Sequence, residues 1–467
     1  MNWRPSAALV LTAVSVLALN GCASMAPRSE RPPPPVAASF PGGPGSPGAA
    51  ASEIEWQRFF ADERLRELIR LGLENNRDLR IAVLNIEQAR AVFDIRRADR
   101  LPTVGAGVSG SRLPKGDGDS TTVYSAGIQV TSFELDLFGR VRSLADAALA
   151  QYFATEEARK SVQISLVASI ANVYLAIQAD EELLRVTRQA LETRQQSWRL
   201  TRLRFDNGVS SMLEVRQAET LLESARATLA QLTRQLALDE NALVLLIGQP
   251  LPAALPPQPP LAADLTSAFG MPDLPAGIPS EVLVRRPDVR QAEQVLRAAD
   301  ANIGAARAAF FPRITLTGSF GLASSQLNGL FSSGLAWSFA PQLLQPIFDA
   351  GRNRANLQVA EANQRIAVAQ YERTVQVAFR EVADALAGRE TFGEQLRAQQ
   401  AQVRAEQDRF TLAELGFRNG VRSFLELLDA QRSLFTAQQA EVSLRAQYAQ
   451  NLVTLYRVLG GGWTPDD

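Results

Sequence analysis

Few types of side chain in this 467-residue chain can carry acid–base or metal chemistry. There is no histidine, which removes the commonest general base and the commonest metal ligand. The single cysteine, Cys22, permits neither an intrachain disulfide nor a cysteine metal cluster. What remains is carboxylates and one thiol. Asp136 and Asp349 fall in FELDLFGR and PIFDAGR, hairpin-to-helix turns where a short acid serves turn geometry. Asp288 follows Pro287, the usual residue order at a helix start. No carboxylate pair stands in a cleft-forming context, so an envelope hydrolase has no support. Lys plus Arg is 48 against 49 for Asp plus Glu, a net charge of −1, and no basic surface recommends nucleic acid.

One carboxylate stands out by comparison with its own chain. RFDNGVSSMLEVRQAET at 204–220 and GFRNGVRSFLELLDAQR at 416–432 are near copies, and only the second places an acid, Asp429, where the first has Gln217. Leu425 lies one helical turn before Asp429 and on the same face. By residue type alone, Leu425 reads as a core leucine and Asp429 as a solvated or capping carboxylate.

The elements that position these residues follow from periodicity. Asn207-Gly208 and Asn419-Gly420 each end a long helical pattern, and a serine just afterwards, Ser210 or Ser211 and Ser423, can cap the next helix. Each copy is therefore a helix–turn–helix tip between antiparallel arms. No Gly or Pro interrupts 140–207, a stretch of about 100 Å if wholly helical. Leu222, Ala225, Leu229, Leu232, Leu236, Asp239 and Leu243 form a heptad seam, and Leu434, Ala437, Glu441, Leu444, Tyr448, Asn451 and Leu455 form its counterpart. Length alone would suggest two or three domains, but the repeat argues for one duplicated architecture.

Away from the tips the period becomes two. Strands are expected near 103–112, 122–132, 313–322 and 333–340, forming two hairpins. Ile314, Leu316, Phe320 and Leu322 alternate with Arg313, Thr315, Thr317 and Ser319. Such alternation fits a half-buried soluble sheet or a membrane barrel. Phe133, Phe138, Trp337, Phe339 and Phe348 suit either membrane-interface belts or buried packing.

The N-terminus bears on that choice. Residues 1–21 have the layout of a signal peptide, and Leu19-Asn20-Gly21-Cys22 resembles a bacterial lipobox, which would make Cys22 the lipidated first residue of the mature chain. Ala23, not Asp, follows the cysteine, consistent with outer-membrane sorting. Residues 22–52 are rich in Pro, Gly, Ala and Ser and read as a flexible tether. No later stretch of about 18 apolar residues offers a spanning helix. Four strands cannot close a barrel when closed membrane barrels need about eight, so a barrel requires several copies of the chain. The expected organisation is a first repeat at 53–247, a Pro-rich crossover at 248–280 and a second repeat at 281–467.

The lipobox, the duplicated arms, VRRPDVRQAE at 284–293, FFPRITLTGSFG at 310–321, FRNGVRSFLELLDAQRSLFTAQQ at 417–439 and LYRVLGGGW at 455–463 together resemble the TolC-type outer-membrane factors of tripartite efflux pumps, in their lipoprotein branch. The resemblance implies a mainly α fold with a membrane β-barrel portion: a homotrimer sharing a twelve-stranded barrel and a periplasmic helical tunnel. It implies a passive exit duct with no enzymatic activity and no cofactor, lying in outer-membrane lipid and partnered by a periplasmic adaptor and an inner-membrane resistance-nodulation-division transporter. It implies adaptor contact at the tips, through Asn207, Gly208, Val209, Ser210, Asn419, Gly420, Val421, Arg422 and Ser423. It makes Leu425 an apolar constriction and Asp429 an acidic ring at the periplasmic entrance. The other readings are a structural coiled-coil envelope lipoprotein, which leaves the strands and tips unexplained, and a type I secretion duct within the same family.

Overall fold

The computed structural model describes residues 24–40, 54–114, 116, 118–262, 269, 280–332 and 334–461. The signal peptide, Cys22, part of the tether, part of the crossover and Trp463 lie outside the described residues. The chain divides into two compact units. The first comprises 1–35, 83–158 and 288–374, and the second 36–82, 159–287 and 375–467.

In chain order the elements are α1 (Trp56–Phe59), α2 (Glu63–Asn75), α3 (Arg77–Ala98), β1 (Val104–Pro114), β2 (Ser120–Leu135), α4 (Arg140–Asp206), α5 (Met212–Ile247), a short 3-10 turn (Ser280–Arg285), α6 (Pro287–Ala308), β3 (Arg313–Ser324), β4 (Leu335–Leu344), α7 (Arg352–Arg418) and α8 (Phe424–Val458). The helix–hairpin–long helix–tip–helix order occurs twice. All four strands run a few residues beyond the ranges expected from alternation.

The first unit is built on one antiparallel sheet of order β1-β2-β3-β4, in which β2 pairs with β3 and so joins the two hairpins. Its register sorts the side chains. Val104, Val130, Gly318 and Phe339 stand opposite one another across the four strands. So do Ala106, Ile128, Phe320 and Trp337, and then Val108, Ala126, Leu322 and Leu335. The alternate rows are Gly105, Gln129, Ser319 and Ser338, then Gly107, Gly127, Gly321 and Ala336. One face is thus apolar across its width and the other small and polar. On the polar face Ser109 and Ser125 share a 2.8 Å hydrogen bond, and Ser319 and Ser338 one of 2.7 Å. Strands β2 and β3 come too close for a side chain at either Gly127 or Gly321, since a Cβ on Gly321 would lie 2.2 Å from the Ala126 carbonyl oxygen. Neither face is covered: Trp337 is 76% exposed, and Val108, Ile128, Phe320 and Phe339 are exposed too.

Below the sheet Glu134 binds Arg140 (2.7 Å) and Arg313 (2.6 Å), tying the first hairpin to the second. Asp136 and Asp349 do turn work as expected. Asp136 accepts from the Arg142 amide at 2.7 Å, and Asp349 from the amides of Gly351 and Asn353, each at 3.0 Å. Phe138 stacks on Phe311 (4.8 Å) and is half-buried, while Trp337, Phe339 and Phe348 are exposed.

The tether differs from expectation. Its described part is held against α6: Arg31 binds Glu293 at 2.6 Å, and Arg307 donates to the Met25 carbonyl at 3.3 Å. Gly304 leaves room for the Ala26 backbone, which a Cβ would meet at 2.7 Å. Composition marked this segment as unable to form a core, but two arginines, one glycine and the Glu293 carboxylate hold it in place.

The second unit packs α1, α2, α4, α5 and α8 around Phe59, Leu68, Ile69, Ile170, Tyr174, Ile247, Val453 and Tyr456. Phe59 stacks on Tyr456 at 3.9 Å. One stretch of α4 is long and apolar enough to cross a membrane by composition, contrary to expectation, but 67% of it is buried within the protein, as a core helix would be. The described part of the crossover lies on this core, Arg64 donating to the Pro256 carbonyl and Gln178 to that of Pro259. Arg286 of VRRPDVRQAE is buried and donates to the Val458 carbonyl at 2.9 Å and to Glu381 at 2.8 Å, fixing the end of α8. The polar interruptions of the seams are engaged: Asn451 donates to the Ala385 carbonyl, Arg445 binds Glu441, and Asp239 accepts from the Gln235 amide at 3.2 Å.

Candidate functional site at the helix tips

Both tips end their long helices in the same way. Gly208 (φ +75°) and Gly420 (φ +72°) take the left-handed geometry that glycine tolerates. The Val209 amide donates to the Arg204 carbonyl, and the Val421 amide to that of Gly416, both at 2.9 Å. Asn207 and Asn419 each donate a side-chain N–H to the carbonyl four residues back, at 2.7 and 2.9 Å. Serine then starts the outgoing helix. Ser211 is the cap of α5, accepting from the Glu214 amide at 3.2 Å, and Ser423 caps α8, accepting from the Glu426 amide at 3.2 Å. Of the two serines open to sequence reasoning, Ser211 is the cap, and Ser210 instead bonds the Glu214 carboxylate.

The tip residues singled out by the sequence thus come together as two turns. Val209, Val421, Leu213 and Leu425 are exposed there, Leu213 at 67% and Leu425 at 63%. Exposure of Leu425 departs from a core leucine. Phe417 and Phe424 pack behind the second turn, ring centres 5.4 Å apart, and the Arg204 guanidinium lies over Phe417 at 5.0 Å.

Asp429 is solvated, its side chain 42% exposed, but it is also paired. It is bound by Arg432 of its own helix at 2.6 Å and by Arg409 of α7, and Arg409 also pairs with Glu406 at 3.2 Å. The hydrogen bond from Arg432, followed by that from Arg409, holds the Asp429 carboxyl below the ordinary carboxylate range. Sequence reasoning missed both arginines. Arg432 was legible as a turn-spaced partner three residues on, whereas Arg409 meets Asp429 only because the arms are antiparallel. Asp429, Arg409, Asp408, Arg422, Leu425 and Leu412 line a cleft of about 920 Å³. It is a charged, open recess with an apolar lip. Among the described residues no group of three or more His, Cys, Asp or Glu could hold a metal.

A family model described as "Outer membrane efflux protein" matches residues 68–249 and 278–461, one match per repeat. The chain is 47% identical over 468 residues to the probable efflux pump outer membrane protein TtgC of Pseudomonas putida, covering 97% of this chain and 96% of that one. It is 45% identical over 453 residues to outer membrane protein OprJ of Pseudomonas aeruginosa, covering 95% and 94%. Among solved structures, the open state of the Neisseria gonorrhoeae MtrE outer membrane channel superposes with a TM-score of 0.85 at 42% identity, covering 94% of this chain and 98% of that one.

Proposed function

The chain belongs to the outer membrane efflux protein family, and from that premise we propose that it is the outer-membrane exit duct of a tripartite pump, passing small toxic molecules from periplasm to exterior through a gated entrance. The observation that carries this reading is the sheet. Its apolar face, its polar face and its edge strands β1 and β4 are all left open by one chain. An uncovered apolar face beside a small-polar one is the wall of a barrel, lipid outside and water inside. Unpaired edges are closed by further copies, and three copies of four strands give twelve.

In that trimer, Cys22 carries the lipid and the docked segment 24–31 leads from it along α6. The two tips face a periplasmic adaptor that connects the duct to an inner-membrane transporter. Efflux relatives are named for toluene, solvents and antibiotics, which favours small molecules over secreted polypeptides.

The gate is the second tip. Leu425 narrows the entrance, Asp429 forms an acidic ring by symmetry, and Arg409 ties each Asp429-bearing helix to its neighbouring arm. Opening breaks this tie. A duct needs no acid–base residue and no cofactor, in keeping with a chain that has no histidine.

Single-channel conductance in a planar bilayer tests the reading. The wild type is expected to show a small conductance that rises several-fold in a Leu425→Ala, Asp429→Ala double variant. Unchanged conductance would move the gate elsewhere, and folded protein with no conductance at all would return the chain to a structural lipoprotein.

A further inference from the structure

The second unit also buries a positive charge that the gate does not use. Arg194 of α4 is only 4% exposed. Its Nη1 donates to the Leu221 carbonyl at 2.9 Å, and its guanidinium lies 4.7 Å over the Phe435 ring. Both partners are neutral. No carboxylate binds Arg194 among the described residues, and burial is what lowers its pKa. The corresponding position in the second arm pair is Glu406, counting from Asn207 and Asn419, and Glu406 is engaged by Arg409.

A buried cation is costly unless it is paired. A ring face and one carbonyl offset part of that cost, yet a guanidinium carries five N–H donors. Arg194 lines a recess of about 90 Å³ with Gln189, Gln407 and Gln431, whose side-chain amides can present N–H donors, while the Thr193 hydroxyl beside it is committed to the Gln189 carbonyl at 3.1 Å. Gln431 adds a second irregularity. It is buried and donates to the Ser197 hydroxyl at 2.9 Å, but its Oε1 has no partner. Turning the amide over lets the Ser197 hydroxyl donate to Oε1 and frees both amide N–H groups.

We propose that this cavity is a binding site for a small monovalent anion, a halide such as chloride, with Arg194 as its counter-charge. The recess, about 90 Å³ and open at Gln189 and Gln407, suits one small ion better than a nucleotide or a drug-like solute. Charge balance excludes a divalent phosphate, which would leave the buried site with a net negative charge. The anion joins α4 of the first arm pair to Gln407 of α7 and Gln431 of α8, and so ties the two arm pairs together. The site is built within one chain, and its test does not depend on conductance.

Crystals of the full trimer soaked in bromide provide the direct test. An anomalous peak within hydrogen-bonding distance of the Arg194 guanidinium is expected. Bromide at exposed arginines only, or water alone in the cavity, would overturn the proposal. Independently, the thermal unfolding midpoint is expected to be about 2 °C or more higher in chloride than in gluconate at equal ionic strength, because a ligand of the folded state stabilises it. Arg194→Met should abolish the difference. Should that variant fail to fold, Arg194→Lys serves, with a smaller chloride effect expected. Equal wild-type midpoints in the two salts would also overturn the proposal.

Discussion

Set side by side, the two helix tips have the same turn, the same Asn-Gly ending and the same serine cap, yet they hold opposite amounts of charge. At the second tip Asp429 bridges Arg409 and Arg432. Counting from Asn207 and Asn419, the matching positions at the first tip are Gln217, Ser197 and Thr220. All three charges are absent together, so the tie between arms belongs to one repeat only. Capping chemistry, which any helix start needs, is common to both copies, whereas the Asp429 network is written once. The repeat shares its scaffold, and three residues that differ between the copies make the charged tie of the second tip.

The largest effect should come from cutting that network. Asp429→Ala frees both arginines and is expected to raise single-channel conductance several-fold. Arg409→Ala should raise it less, because Arg432 still holds the carboxylate within its own helix. Gln217→Ala should leave conductance unchanged, and so should Gln217→Asp, since Ser197 offers the new carboxylate no cation. An equal rise on mutating Gln217 would erase the distinction between the tips.

The arms above the tips show the reverse asymmetry and give a pH test. In the first pair Asp180 is buried on α4 beside Asp239 of α5, where the second pair has Phe392 and Asn451. Burial first, then the neighbouring Asp239, pushes the Asp180 carboxyl up to about 7. A carboxyl raised in the folded state contributes stability below its unfolded pKa of about 3.9 and loses it as pH rises through the folded value. The unfolding midpoint should therefore decline between pH 5 and pH 8, and Asp180→Asn should remove most of that decline. Asp429 has the opposite sign. Its lowered pKa keeps the arm-to-arm tie intact above about pH 3.9, to be lost only on stronger acidification. Conductance should accordingly stay constant from pH 5 to pH 8 while stability changes.

Much of this architecture was legible because helices and strands announce themselves by period. The tips, the 67-residue α4 and the start of α6 at Pro287 follow from Gly, Pro and Asn placement and from break-free helical composition. Alternation gave the strands, but the pairing of β2 with β3 is a contact between repeats that no local pattern encodes. Long-range charge partners were illegible for the same reason: Arg409 for Asp429, Arg313 for Glu134 and Glu293 for Arg31 lie 20 or more residues from their partners. The docking of segment 24–31 escapes composition, which reports the capacity to form a core and not the presence of partners elsewhere that hold an extended chain. Leu425 shows the converse limit, since a heptad-like leucine in an arm looks buried until the turn places it at the end.

The smallest expected difference lies in the caps themselves. Ser211 belongs to a full capping box, in which the Glu214 carboxylate returns to the Ser211 amide at 3.4 Å and also bonds Ser210. At the second tip the Glu426 carboxylate faces Arg422 at 3.5 Å, and only the Ser423 half of the exchange is made. Replacing an N-cap serine by alanine costs about 1 kcal/mol, and the reciprocal bond should place Ser211→Ala above that figure and Ser423→Ala below it. Amide hydrogen exchange at Glu214 and Glu426 reads each cap directly, because those amides donate to the serine hydroxyls. Faster exchange is expected in both variants, with the larger increase at Glu214. The reverse order would mean that the arginine-rich second tip relies on its cap more than the neutral first tip does, and that its charge network steadies the helix start less than the distances suggest.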